Sequence, residues 1–247
     1  MPARSFAFFD LDHTLLPFDT QALFCNFVLK REPWRVFLHG LFVPVALARA
    51  CGLASTATAK RAFLSYLRGM PRERLAKYAR EFAEVCVPKW AYPDLRAEIL
   101  RHKHQYRVLV LNTASPDFYA HAIAHALGFD YCVATQFEIG DKFPGMPRLV
   151  TGNNKHAAKI AAMEEAVPGV AELTEKERSV CWSYSDSAAD LPLLEYAGFA
   201  VLIHPSKSLA AIGQQRDWAI LNPARPYRTK MGDMFRVVLQ ILGLHPE

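Results

Sequence analysis

The chain opens on Phe6-Ala7-Phe8-Phe9, followed at once by Asp10-Leu11-Asp12-His13-Thr14, and no other stretch restricts the fold as much. Four apolar residues without alternation predict a strand covered on both faces, as in the interior of a parallel sheet. Open α/β sheets gather their ligands at the carboxyl ends of such strands. Two carboxylates placed there repel each other unless a cation lies between them or one holds a proton. That requirement suits a metal-assisted aspartate nucleophile with an acid/base partner. Taken alone, Asp-x-Asp-x-Thr is equally the polar turn that closes a strand, with Asp and Thr satisfying backbone groups. The chemical reading therefore depends on finding its complementary parts elsewhere in the chain.

The order of elements favours such a sheet. From Pro17 to about Pro93 the signals are helical: Ser55 to Leu67 ends at Gly69, and Leu75, Tyr78, Phe82 and Val85 follow Pro71 at helical spacing. Pro93 opens a further helix. Strands are predicted at Arg107–Asn112, Tyr131–Thr135, Val180–Tyr184, Phe199–Ile203 and Trp218–Leu221, with a small hairpin or ordered loop over 136–152. Helices are predicted between them, at 115–128 with Ser115 as N-cap, at 153–165 and before Gly198. Strands alternating with helices imply an α/β fold, a Rossmann-like, mostly parallel sheet. The helical stretch is read as an insertion, giving a core of residues 1–16 and 94–247 and an α-helical cap of residues 17–93.

Charge follows the same division. Residues 16–106 carry 15 Lys and Arg against 7 Asp and Glu, while the remainder is mildly acidic within an overall net charge of +5. A basic insertion favours an anionic substrate or an anionic membrane surface. No nucleic-acid-binding motif accompanies the charge, so nucleic acid is not expected as a partner. The five cysteines are scattered and lack Cys-x-x-Cys, which fits a reducing compartment with neither a disulfide framework nor a zinc site. A candidate nucleophile already at position 10 leaves no room for a secretory leader, so the expected location is cytoplasmic, with peripheral membrane contact as an option.

Three more strand ends supply candidate parts. Thr113-Ala114-Ser115 closes the 107–112 strand before a helix, where a hydroxyl and free N–H groups can cradle phosphate. Asp186 and Asp190 lie four apart after the 180–184 strand, spaced to converge on one cation. Lys155 and Lys159, one turn apart on a helix, are each candidates to neutralise phosphoryl oxygens, although a solvated surface is the commoner fate of lysine. His102, His104, His121 and His125 are expected at the surface.

Together these residues carry a resemblance. Phe9-Asp10-Leu11-Asp12-His13-Thr14-Leu15, Thr113-Ala114-Ser115-Pro116, Lys159 and Tyr184-Ser185-Asp186-Ser187-Ala188-Ala189-Asp190-Leu191-Pro192 are similar, in order, to the four motifs of haloacid dehalogenase-like phosphatases. The helical segment between the first two motifs resembles the C1-type cap of subfamily IB, the phosphoserine phosphatase-like branch. The resemblance implies Asp10 as nucleophile, forming an aspartyl-phosphate, and Asp12 as general acid and base. It implies Thr113, Ala114 and Lys159 as phosphate-binding groups. It also implies Mg²⁺ held by Asp10, the Asp12 backbone carbonyl and Asp186, with Asp190 in support. It selects Lys159 over Lys155, because an apolar residue and a helix follow it as in the family. Two departures stand out: His13 occupies a position where glycine is usual, and Asn112 precedes Thr113 where an apolar residue is common.

The substrate is less constrained. Trp34 to Leu53 is apolar over about 13 residues, short of the roughly 20 needed to span a bilayer, and reads either as a buried helix pair or as an interfacial segment flanked by Lys30, Arg31, Arg35 and Arg49. Met234 to Leu244 is a second apolar segment, suited to docking on the core or to dipping into a membrane. Similar apolar caps occur in the phosphatidylglycerophosphatase branch, so a lipid phosphate stands beside a small soluble phosphomonoester as the expected substrate. The rival classes are a catalytically silent membrane- or protein-binding module, disfavoured by the intact motifs, and a phosphotransferase that passes the phosphoryl group to an alcohol.

Overall fold

The computed structural model describes residues 5–227 and 230–246; residues 1–4, 228–229 and 247 of the predicted core lie outside the described residues. Strand β1 (Phe6–Phe9) is followed by α1 (Thr20–Arg31), a 3-10 segment (Pro33–Leu41), α2 (Phe42–Ala50), α3 (Thr56–Phe63), a second 3-10 turn (Leu64–Leu67), α4 (Arg72–Trp90) and α5 (Pro93–His104). The chain then alternates through β2 (Val108–Pro116), α6 (Asp117–Leu127), β3 (Tyr131–Thr135), the hairpin β4 (Phe137–Glu138) and β5 (Arg148–Leu149), α7 (Ala158–Ala166) and α8 (Glu175–Arg178). It closes with β6 (Trp182–Ser185), α9 (Leu191–Tyr196), β7 (Phe199–Ile203), α10 (Lys207–Gln215), β8 (Ala219–Leu221) and α11 (Lys230–Ile241). Among the described residues, six strands form one parallel sheet in the order β3-β2-β1-β6-β7-β8. The fold is thus the expected α/β sheet with a helical cap inserted after its first strand.

Strand β1 lies at the middle of the sheet, which explains its unbroken apolar run. Phe6 and Phe8 pack on one face with Val110 and Met163, while Ala7 and Phe9 enter the larger core on the other. Phe9 stacks on Tyr184 of the neighbouring strand with ring centroids 4.2 Å apart. Because β1 pairs with both β2 and β6, Asp10, Thr113 and Asp186 emerge side by side at one edge of the sheet.

Several local expectations are corrected. Ser115 is not a helix cap: β2 stays extended through Pro116 with a register shift after Asn112, and α6 starts at Asp117. The Thr113 hydroxyl accepts from the Ser115 amide at 3.0 Å, which frees the Ser115 side chain for another partner. The helix predicted from residue 153 begins only at Ala158.

His102, expected at the surface, is fully buried on the inner face of α5. Its Nε2 meets the Tyr184 hydroxyl at 2.8 Å, that hydroxyl donates to Glu98 at 2.5 Å, and Arg107 donates to Nδ1 at 3.2 Å. Burial, reinforced by Arg101 and Arg107, pushes His102 down to about 3. A neutral imidazole protonated at Nε2 serves both Tyr184 and Arg107, whereas a second ring proton would face the Arg107 guanidinium. The unfolded chain takes up a proton near pH 6.5 and the folded one only near pH 3, so this residue's contribution is present at neutral pH and lost as pH falls through that window. The expected cost approaches tenfold in the folding equilibrium per pH unit. Urea unfolding from pH 7 to 4 should show His102→Gln losing stability less steeply than the parent; parallel slopes would refute this account.

Trp34–Leu53 is neither a span nor a buried helix pair. Among the described residues no helix is long and apolar enough to cross a membrane. The segment folds as the Pro33–Leu41 3-10 stretch and α2, with Trp34, Phe37, Leu41, Val43 and Leu47 exposed. Arg35 is not a flanking surface cation: it is buried, donating to Glu32 at 2.7 Å and to the Tyr66 and Arg68 carbonyls.

Candidate active site

The carboxyl ends of β1, β2 and β6 bring the predicted residues together with α7. Asp10 continues the β1–β6 pairing, its amide donating to the Tyr184 carbonyl at 3.0 Å. Lys159, fully buried on α7, donates to Asp10 Oδ1 at 2.6 Å and to Asp190 Oδ2 at 2.8 Å. Burial alone would pull this lysine down, but Asp10 and Asp190 hold it above its usual value. Lys155 lies outside this cluster and lines the neighbouring cavity instead.

One lysine does not balance the acid around it. Burial pushes Asp10 up to about 8, Lys159 opposes the shift, and Asp190, Asp186 and Asp12 add to it. Burial likewise raises Asp186, to about 6, against a lowering influence from His13. Thr14 stands between the two: its hydroxyl lies 3.4 Å from Asp10 Oδ2 and 3.3 Å from Asp186 Oδ1, and accepts from the Asp186 amide. Asp10 and Asp186 therefore present hard carboxylate oxygens around one point with unmet negative charge, the donor type Mg²⁺ takes. Asp190 is committed to Lys159 and to the Ser185 hydroxyl at 2.7 Å. Among the described residues no three acidic, imidazole or thiolate side chains form a metal cage by themselves. A cation here would complete its shell from backbone carbonyls, water and phosphate, as Mg²⁺ commonly does.

The Asp12 side chain points away from that cluster. Its Oδ2 accepts from the Ser115 hydroxyl at 2.6 Å and its Oδ1 from the Thr20 amide at 2.7 Å. It faces a cavity of about 410 Å³ that also meets Asp19, Lys60, Ala114, Asn153 and Lys155. Thr113 is buried beside it, and the Ala114 carbonyl accepts from Thr135 at 2.7 Å and from the Lys60 ammonium. Burial pulls Lys60 down to about 8, opposed by Asp12 and Asp19.

Lys60 and Asn154 escape sequence reading, and Ser115, read as a helix cap, instead holds Asp12. Asn154 Nδ2 donates to Asn112 Oδ1 at 2.8 Å and to the Thr113 carbonyl at 2.9 Å, while Asn112 Nδ2 donates to the Lys159 carbonyl at 3.0 Å. Asn112 is thus polar because it ties the lysine-bearing helix to the strand carrying Thr113. His13 adopts φ 57°, the left-handed region that glycine tolerates best, and its Nδ1 meets the Tyr227 hydroxyl at 3.3 Å. That hydroxyl donates to the Pro17 carbonyl at 2.8 Å, so the C-terminal segment holds the loop after Asp12.

The profile of the haloacid dehalogenase-like hydrolases matches residues 7–195, from β1 into α9. The chain belongs to that family. The chain is 28% identical over 233 residues to the inhibition of morphological differentiation protein of Streptomyces azureus, covering 92% of this chain and 81% of that protein. It is 26% identical over 223 residues to a phosphoserine phosphatase of Mycobacterium tuberculosis, covering 87% of this chain and 69% of that protein. A crystal structure of a protein of unknown function from Bordetella pertussis superposes with a TM-score of 0.75 at 25% identity, over 89% of this chain and 99% of that one. In that frame the aspartates stand at the carboxyl ends of β1 and β6 and the buried lysine on α7.

Proposed function

We propose that the chain hydrolyses a small phosphomonoester through an aspartyl-phosphate on Asp10. The carrying observation is the placement of the two motif aspartates: Asp10 held at 2.6 Å from the Lys159 ammonium, and Asp12 turned outward to the cavity. Asp10 attacks phosphorus as the bond to the leaving oxygen breaks, and a proton on Asp12 passes to that oxygen. Asp12, now a carboxylate, removes a proton from water that attacks phosphorus, and the bond to Asp10 breaks to release phosphate. Lys159 and the groups of Thr113 and Ala114 face the charge carried by the phosphoryl oxygens. Ser115 and the Thr20 amide hold Asp12 in position between the two steps. Asp10, Asp186 and the Asp12 backbone would hold Mg²⁺, which when bound neutralises phosphoryl charge. Residues 17–93 serve as the cap that closes the cavity over the substrate. A phosphotransferase would use the same first step and differ only in the second acceptor.

A cavity of 410 Å³ is of the size that encloses a small ligand, which favours a soluble phosphomonoester. The exposed Phe37, Val43 and Leu47 favour a lipid-borne phosphate as the second reading. A phosphate-release screen over soluble phosphomonoesters and short-chain lipid phosphates separates the two. Protein treated with EDTA should be inactive and recover with Mg²⁺. Added Mg²⁺ should also raise the melting temperature by relieving carboxylate repulsion, and Asp186→Asn should abolish that rise. Full turnover in metal-free protein rejects the metal assignment.

A further inference from the structure

The cavity beside Asp12 has two unlike ends. One is charged, with Asp12, Lys60 and Lys155; the other is apolar, with Phe42 and Phe63 from the cap facing Val237 and Ile241 from α11. Helix α11 lies beyond the residues matched by the family profile.

Its position is fixed by specific contacts. Asn26 of α1 donates to the His245 carbonyl at 3.1 Å and accepts from its amide at 3.0 Å. The His39 Nε2–H donates to the Ile241 carbonyl at 3.1 Å, pinning the residue whose side chain meets the cavity. Gly243 adopts φ 72° and approaches Leu29 so closely that a Cβ would sit 2.7 Å from the Leu29 Cβ. The wall is therefore built into the closed cap. Outward-facing Met234 and Phe235 on the same helix are 64% and 63% exposed, so only one face of α11 contributes to the cavity.

We propose that α11 sets the specificity of the phosphatase, selecting phosphate esters whose leaving group carries an apolar alkyl or aryl body that packs between Val237, Ile241, Phe42 and Phe63. The phosphate would lie at the Asp12 end, beside Ala114 and Ser115, and the apolar body would extend towards α11. This rests on the phosphomonoesterase reading and adds to it the chemical class of the alcohol released.

A series of n-alkyl monophosphates from ethyl to octyl, assayed with Mg²⁺, tests the proposal. Transfer of each methylene from water into the apolar end should raise kcat/KM by up to about fourfold, with a plateau once the cavity is filled. The hexyl-to-ethyl ratio should fall in Val237→Thr, which keeps volume but adds a hydroxyl, and in Ile241→Ala, which only removes apolar contact. Phe235→Ser, on the outer face, should keep the parental ratio. Calorimetric binding of the matching alkylphosphonates, which cannot be hydrolysed, should show the same chain-length dependence. A flat series in the parent, or an unchanged ratio in both wall variants, overturns the assignment. Phosphonate binding that keeps its chain-length dependence while no phosphomonoester is turned over would remove the catalytic reading and leave the apolar subsite standing.

Discussion

Asp10→Asn is expected to reduce turnover by at least about 10⁴-fold, the scale seen when a nucleophile that acts as part of a unit is removed. An amide cannot form the acyl phosphate, although its oxygen can still accept from Lys159 and Thr14. The same substitution should not weaken the fold. Asp10 is pushed up to about 8 by burial and by three neighbouring carboxylates, so its charge is a burden that Lys159 only partly relieves. With divalent cations removed, Asp10→Asn should therefore melt at or above the parental temperature at pH 7 and above. The unfolded chain releases this proton near pH 3.8 and the folded one only near pH 8, so the parent's disadvantage is full above about pH 8 and shrinks as pH falls towards 4. Residual turnover near the parental level, or a lower melting temperature in EDTA, contradicts the placement of Asp10 in this cluster.

Lys159→Met should have the opposite effect on stability and a similar effect on activity. The ammonium is fully buried between Asp10 and Asp190 at 2.6 and 2.8 Å. Removing one partner of a buried ion pair leaves uncompensated charge and typically costs about 3–5 kcal/mol. Urea unfolding in EDTA at pH 7 should register that loss. Asp10→Asn should stabilise the Lys159→Met background by more than it stabilises the parent, because there it removes one of two orphaned carboxylates. Such a coupling is a direct test of contact between the groups. Additive effects would mean that the two side chains act independently.

What sequence reading could reach follows from the range over which each signal acts. The buried β1, the helix end at Gly128 and the strand–helix alternation are encoded within a few residues, and each is found where local chemistry places it. Of the candidate groups, Asp10, Asp186, Asp190 and Lys159 do converge, whereas the Asp12 side chain turns to Ser115 and Thr20. Ser115 was legible only as a cap, because its actual partner lies 103 residues away. Lys60 sits on a cap helix with an ordinary basic pattern, and nothing near it in the chain announces the Asn153 side chain it meets at 3.1 Å. Asn112 looked misplaced for the same reason: an apolar strand position turns polar only because Asn154 and the Lys159 carbonyl come to it across the fold. His102 misled because its basic neighbours, Arg101 and Lys103, describe the exposed side of α5 and not the side that faces Tyr184.

The joining of Asn26 to His245 bears on how the molecule is made. These residues are 219 positions apart, so a chain emerging from the ribosome has completed its central strand, its cap and its acidic cluster before the last wall of the cavity exists. Contacts of such sequence separation form slowly, because the loop entropy must be lost before the contact is gained. A nascent or C-terminally clipped chain would hold its catalytic groups beneath a cap whose first helix has an uncovered apolar flank. Synthesis of α11 thus becomes a condition for a closed cavity, and its docking on α1 seals a pocket whose strands and acidic cluster come earlier in the chain.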